Sequence, residues 1–160
     1  MIKRVFCALL TLSLVLSFFS CAEEKTYGHC ELKIPLSEDF YEIQTDNFDI
    51  SYTNGEIICA ILRISFDAAV IENIPPTLSA YNFGIYYSMR CSRFVDMQKY
   101  EDVDYCTYYD TAGEDEYFYS EAFYRSQNAY FVVLFATPVE NEDAWRNKIL
   151  LYFADVYFTD

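Results

Sequence analysis

Two runs in this chain leave little freedom in how it can fold. Residues 129 to 137 read Ala-Tyr-Phe-Val-Val-Leu-Phe-Ala-Thr, and residues 57 to 62 read Ile-Ile-Cys-Ala-Ile-Leu. Neighbouring side chains of a strand point to opposite faces, so a strand with one wet face alternates apolar and polar residues. These two do not alternate. Both are short and rich in β-branched or aromatic residues, and Pro138 closes the first, which favours strand over helix. Each must lie inside a sheet with a layer above it and a layer below it. Ile61 and Val133 are the positions expected to be fully buried. A chain of 160 residues, 53% of them hydrophobic, can build one core of this kind. The same share excludes disorder as the main state.

The flanking segments supply the rest of the sheet and its cover. Leu32 and Ile34 alternate with Glu31 and Lys33, a first strand that Pro35 is expected to stop. Asn47 to Tyr52 alternates, with Phe48, Ile50 and Tyr52 on one face and Asp49 and Ser51 on the other. Asn54-Gly55 follows, the signal of a tight type I′ hairpin turn, and the strand from Ile57 to Phe66 returns. Pro75-Pro76-Thr77 opens a helix in which Leu78, Tyr81, Ile85 and Met89 recur at helical spacing. Asp96 to Asp104 is polar and irregular. Val103 to Asp110, Glu116 to Arg125 and Ala129 to Thr137 form a meander. Asn141 caps a final helix with Glu142 and Asp143 in its first turn. The buried stripe of that helix is Trp145, Ile149, Tyr152, Phe153 and Val156, and the chain straightens after Tyr157. The expected class is α+β, a mostly antiparallel sheet sandwiched between helices.

The N-terminus is an address. Lys3 and Arg4 precede an uncharged stretch from Val5 to Phe19. That stretch is shorter than the roughly 20 apolar residues of a comfortable membrane span and fits a secretory signal. Ser20-Cys21 then resembles a bacterial lipobox, in which the Cys becomes the lipidated first residue. Phe18 and Phe19 depart from the usual Leu and small residue. The rival is ordinary cleavage after Ala22, with Ser20 and Ala22 as the small pair; an uncleaved anchor is the third reading. Each reading exports the protein, to the outer face of the cytoplasmic membrane if Cys21 carries lipid, or into the medium if it does not. The expected organisation is a signal peptide over 1–20, a tether over 21–28 and one globular domain over 29–160. Removing residues 1 to 20 takes away two cations and no acid, so the formal charge goes from −14 to −16.

Four cysteines remain after Cys7 and Cys21: Cys30, Cys59, Cys91 and Cys106. They permit two disulfides in three pairings, or serve as small buried apolar thiols, as the setting of Cys59 favours. No CxxC spacing supports zinc or thiol-redox chemistry.

Certain phrases resemble the PsbP-like fold. They are Leu32-Lys33-Ile34-Pro35 with Phe40 shortly after, the Tyr52-Thr53-Asn54-Gly55 turn, and the helix-plus-tail from Trp145 to Phe158. PsbP is an extrinsic subunit of photosystem II, and its fold also occurs in small bacterial exported lipoproteins. The resemblance covers about residues 30 to 159. It implies a fold and an accessory or binding role at a membrane surface, and it transfers no site residues.

The chemistry is defined mostly by what is missing. His29 is the only histidine, beside Cys30, and a structural role is expected of it. None of the four glycines falls in a phosphate-binding pattern. The acidic balance excludes a phosphate-tracking surface, so no nucleic-acid partner is expected. Acids gather at Glu101, Asp102 and Asp104 and at Asp110, Glu114, Asp115 and Glu116, without the spacing of an EF-hand. They read as a solvated rim; no metal and no cofactor is expected. Tyr105, Tyr108, Tyr109, Tyr117, Tyr119 and Tyr124 fall on adjacent strands. They either pair across the sheet or form a platform for a sugar or peptide, in which Tyr105, Tyr108, Tyr109, Tyr117 and Tyr119 face the ligand. The expected function is an exported, membrane-anchored, non-enzymatic binding or accessory domain with a protein or glycan partner. The alternative is an exported hydrolase that uses carboxylates on glycans.

Lipidation makes a direct prediction. Cys21→Ser is expected to release the protein from membranes or leave an unprocessed precursor. Mass spectrometry of the mature N-terminus checks it, and an unmodified chain that starts at Glu23 excludes the lipid.

Overall fold

The computed structural model describes residues 25–93 and 95–159. The readings of the signal segment, Cys7, Cys21 and Ala22 lie outside the described residues. Among the described residues, ten strands and three α-helices follow in order. They are β1 (Lys25–His29), β2 (Leu32–Leu36), β3 (Tyr41–Ile43), β4 (Ile50–Thr53), β5 (Ile58–Ser65), α1 (Phe66–Ile71), α2 (Ala80–Arg90), β6 (Gln98–Tyr100), β7 (Val103–Ala112), β8 (Asp115–Arg125), β9 (Ala129–Pro138), α3 (Glu142–Ala154) and β10 (Tyr157–Phe158). Seven strands form one sheet in the order β3-β4-β5-β9-β8-β7-β6, and β1-β2-β10 form a small one. All described pairings are antiparallel.

The two doubly apolar runs are neighbours. β5 pairs with β9 along its whole length, Ile61 opposite Val133, and both side chains are fully buried. From Ala129 to Thr137 every residue of β9 is buried. Its odd-numbered side chains Phe131, Val133 and Phe135 join a core with Leu32, Ile34 and Leu36 of β2 and Trp145, Ile149 and Phe153 of α3. Its even-numbered Tyr130 and Val132 join a second core with Ala69 of α1, Ile74 and Phe83 of α2. One face is thus covered by α3 together with the small sheet, and the other by α1 and α2. Hydroxyls tie the layers: Tyr124 donates to the Phe153 carbonyl at 2.8 Å and Tyr130 to that of Pro75 at 2.8 Å.

Several local expectations are corrected. Lys25 to Gly28 is not tether but most of β1, paired with β2, and Tyr27 donates to the Phe40 carbonyl at 2.6 Å. Pro35 does not stop β2. Beyond Lys33 that strand has no β10 partner, so its missing N–H is tolerated at a free edge. The β4–β5 hairpin forms, but through the four residues 54–57 rather than a two-residue turn. Asn54 Oδ1 accepts from the Glu56 and Ile57 amides at 3.1 and 3.2 Å, and Gly55 takes φ +93°. Ser51, expected on the polar face, is buried. Phe66 begins α1 instead of ending β5, with Ser65 as its N-cap. Gln98–Tyr100, read as irregular, pairs with β7.

Helix α2 starts at Ala80, capped by Ser79, and buries Phe83, Gly84 and Ser88 rather than the stripe through Tyr81 and Met89, which are exposed. Gly84 explains the shift. A Cβ there would stand 2.6 Å from Phe123 Cδ2, so the helix is turned to bring its glycine against the sheet. In α3 the expected stripe holds: Trp145, Ile149 and Phe153 are buried, Tyr152 and Val156 half-buried.

The central strands predict the cost of truncation. Ile61→Ala is expected to lower stability by about 2–5 kcal/mol. A chemical-denaturation midpoint that moves no more than for an exposed control such as Asp67→Ala would contradict the central position of β5.

Candidate functional site

The strand register decides what the tyrosines can do. Residues opposite one another share a face, and along a strand the face alternates. Tyr105 and Tyr109 of β7 face the α3 side. Tyr105 is buried in the core and donates to Gln98 Oε1 at 2.9 Å. Tyr109 is 52% exposed, and its hydroxyl donates to the Glu142 carboxylate at 3.0 Å. Tyr108 pairs with Tyr119 on the opposite face, their rings stacked with centroids 5.0 Å apart. Tyr117 stands 6.2 Å from Tyr119, and both are half-buried. The five residues therefore divide into two groups on opposite sides of the sheet instead of one platform. Period-two alternation separates Tyr108 from its neighbours in sequence.

Beside Tyr108 lies a buried ion pair that the sequence reading missed. Glu121 is 2% exposed, in the middle of β8. One of its oxygens accepts from Arg93 Nη1 and from the Tyr108 hydroxyl, each at 2.9 Å, and the Arg93 guanidinium lies 4.4 Å over the Tyr108 ring. The other oxygen is buried without a partner. Burial pushes the Glu121 pKa up; the Arg93 charge and the two hydrogen bonds pull it down but do not cancel the rise. Burial, then the Glu121 charge, pushes the Cys106 thiol up to about 12. The only sequence signal was one acid inside the aromatic strand Tyr-Phe-Tyr-Ser-Glu-Ala-Phe-Tyr.

The four cysteines among the described residues are free thiols, Cys59 and Cys106 buried, Cys30 and Cys91 exposed. His29 ends β1 with Nε2 4.0 Å from Asp49 Oδ2. The acids 110 and 114–116 are exposed around the β7–β8 turn. Among the described residues no group of three or more His, Cys, Asp or Glu is placed to hold a metal ion, and no helix is long and apolar enough to cross a membrane.

An open depression of about 740 Å³ lies at the other end of the sheet. Its walls are Glu31, before β2; Arg125, Ser126, Gln127 and Asn128, at the β8–β9 turn; and Phe158 and Thr159, at the tail. The tail is clipped in place: Phe158 pairs with Leu32, the Thr159 amide donates to the Glu31 carbonyl at 2.7 Å, and the Phe158 ring lies 5.6 Å from Phe131. Its outer surface stays open, and Phe158 is 40% exposed. Ser126 donates to Glu31 Oε1 at 3.0 Å, and Arg63 Nε stands 3.5 Å from Oε2. Burial raises the Glu31 pKa, but its own backbone amide, Ser126 and Arg63 outweigh that, so the carboxyl titrates below its usual range. It is a fixed anion at neutral pH.

By sequence the chain matches no protein-family model and no curated protein. By fold it is similar to a protein of Bacteroides thetaiotaomicron VPI-5482, solved at 1.50 Å, with TM-score 0.58 and 11% identity over 86% of this chain and 49% of that one. This chain thus spans about half of that protein's length. Cyanobacterial PsbP (CyanoP) from Synechocystis sp. PCC 6803 matches with TM-score 0.49 and 10% identity, over 88% of this chain and 95% of that one. The Saccharomyces cerevisiae Ran-binding protein Mog1p matches with TM-score 0.48 and 9% identity, over 86% and 97%. At these identities the likenesses concern fold alone.

The ion pair has a pH signature. Arg93→Met leaves a buried carboxylate unpaired and is expected to cost about 3 kcal/mol at pH 7.5. A carboxyl whose folded pKa is raised stabilises the fold fully only below its unfolded pKa, and that contribution is lost as pH rises through the folded value. The deficit should therefore shrink as pH falls towards 4.5, the ordinary carboxyl value. Urea unfolding of both proteins at pH 7.5 and pH 5 measures it; equal deficits would contradict an ionised Glu121.

Proposed function

We propose that this protein is an exported, lipid-anchored binding or accessory domain, not an enzyme, held at the outer face of a cytoplasmic membrane. The export signal from Lys3 to Phe19 and the Ser20-Cys21 pair support the location. The fold is read as a sheet sandwiched between helix-bearing layers.

One observation carries the binding reading. The depression at the β8–β9 turn places an exposed aromatic ring beside polar side chains, of which Glu31 is held by Ser126 and Arg63 and Asn128 by Arg63. A pre-ordered surface of this kind binds with little ordering cost. Among the described residues its lining holds one carboxylate, Glu31, already engaged by Ser126 and Arg63. Glycoside hydrolysis by the usual route needs two carboxyls about 5–9.5 Å apart, one of them able to carry a proton near neutral pH. Glu31 is pulled the opposite way, which favours binding over the hydrolase alternative.

The tagged chain, recovered from its own envelope, is expected to retain a ligand that Phe158→Ala loses at unchanged Tm. That ligand should return with unchanged mass after overnight incubation. A ligand shortened by the wild type but not by Glu31→Gln would overturn the non-enzymatic reading.

A further inference from the structure

The chemistry of the depression narrows its ligand, on the reading that this is a binding domain. We propose that it is a subsite for a neutral glycan, with Phe158 as the stacking surface and Gln127 and Asn128 as the hydroxyl-reading groups.

Charge comes first. Among the described lining residues the anion is Glu31, and Arg63 Nε stands 3.5 Å from its Oε2. The Arg125 guanidinium is turned to the Tyr130 face of the sheet, where Nη2 donates to the Pro76 carbonyl at 3.2 Å and the group lies 5.1 Å from the Phe66 ring. An anionic ligand meets the Glu31 carboxylate and a chain of formal charge −14; a cationic one meets a carboxylate already paired with Arg63. A neutral ligand meets no opposing charge.

Shape and hydrogen-bonding capacity come next. The Phe158 ring is held against Phe131 on one side and is open on the other. It offers a flat apolar surface that needs no rearrangement, suited to the C–H face of a pyranose ring. The lining beside it includes two side-chain amides, Gln127 and Asn128, planar groups with paired polar atoms. Adjacent sugar hydroxyls are each donor and acceptor, and such planar groups match them two at a time. Asn128 is oriented for this: its Oδ1 accepts from Arg63 Nη2 at 3.4 Å, which leaves its NH₂ to donate. The volume, about 740 Å³, accommodates a short oligosaccharide. A peptide would also stack on Phe158, but its backbone groups need a row of unpaired strand amides. The outer edge here, β10, offers two residues only.

Isothermal titration of the full chain with maltoheptaose, cellohexaose, chitohexaose and dextran, followed by amide chemical-shift mapping, tests the proposal. Saturable binding of at least one of these is expected, with shifts centred on residues 125–128 and 158–159. Phe158→Ala and Gln127→Ala should each weaken it at least tenfold at unchanged Tm, whereas Tyr109→Ala, at the opposite end of the sheet, should leave it unchanged. Binding that Phe158→Ala and Gln127→Ala do not alter would overturn the subsite. If no probe binds, but an envelope ligand that is not a glycan is retained and lost in Phe158→Ala, the glycan proposal falls while the binding-domain reading stands. If no probe binds and nothing is retained from the envelope, both fall.

Discussion

The structure depends on β9 having no outer face. With every residue from Ala129 to Thr137 buried, the strand belongs equally to two cores. Covering only one side would leave Tyr130, Val132 and Leu134, or Phe131, Val133 and Phe135, in water. Each such side chain is worth about 1.5–3 kcal/mol of burial, so neither layer is dispensable. The layers are built from chain that is far apart in sequence: β2 and α3 on one side, α1 and α2 on the other. Antiparallel pairing with β5 and β8 then sets which residues stand beside which.

The same requirement leaves accessible polar groups to the margins of the sheet. Side chains that line the two cores are committed to packing, and the polar groups there are committed to one another. Glu121 illustrates this: a carboxylate in mid-strand persists because Arg93 and Tyr108 reach it across the α2 end of the sheet. It holds the loop after α2 onto β7 and β8. Accessible polar groups remain at the strand ends, where the β8–β9 turn meets the tail. Loops on a rigid scaffold are where binding residues concentrate.

Patterns with a short period were legible. The meander from Val103 to Pro138, the β4–β5 hairpin and the Trp145, Ile149, Phe153 stripe follow from alternation, a turn signal and helical spacing. Features that depend on a partner were not. Gly84 reads as a weak helix position until Phe123 is beside it. Pro35 reads as a stop until the free edge of β2 is known. Residues 25–28 read as polar tether because Tyr27 is a single aromatic; only the pairing with β2 makes them strand. Five tyrosines close in sequence suggested one surface, and the register put them on two.

The sequence by itself determined the existence of two doubly buried strands, and hence a layered α+β domain, because burial on both faces is written into every residue of the run. It also determined that the chain has a single histidine and no phosphate-binding glycine pattern, which are matters of composition and spacing. Only the tertiary structure decided which side chains meet: Arg93 with Glu121, Phe158 with the β8–β9 turn, Glu31 with Ser126. Such pairs join residues 28 to 95 positions apart, and no local pattern encodes a contact whose two halves are brought together only by the path of the sheet.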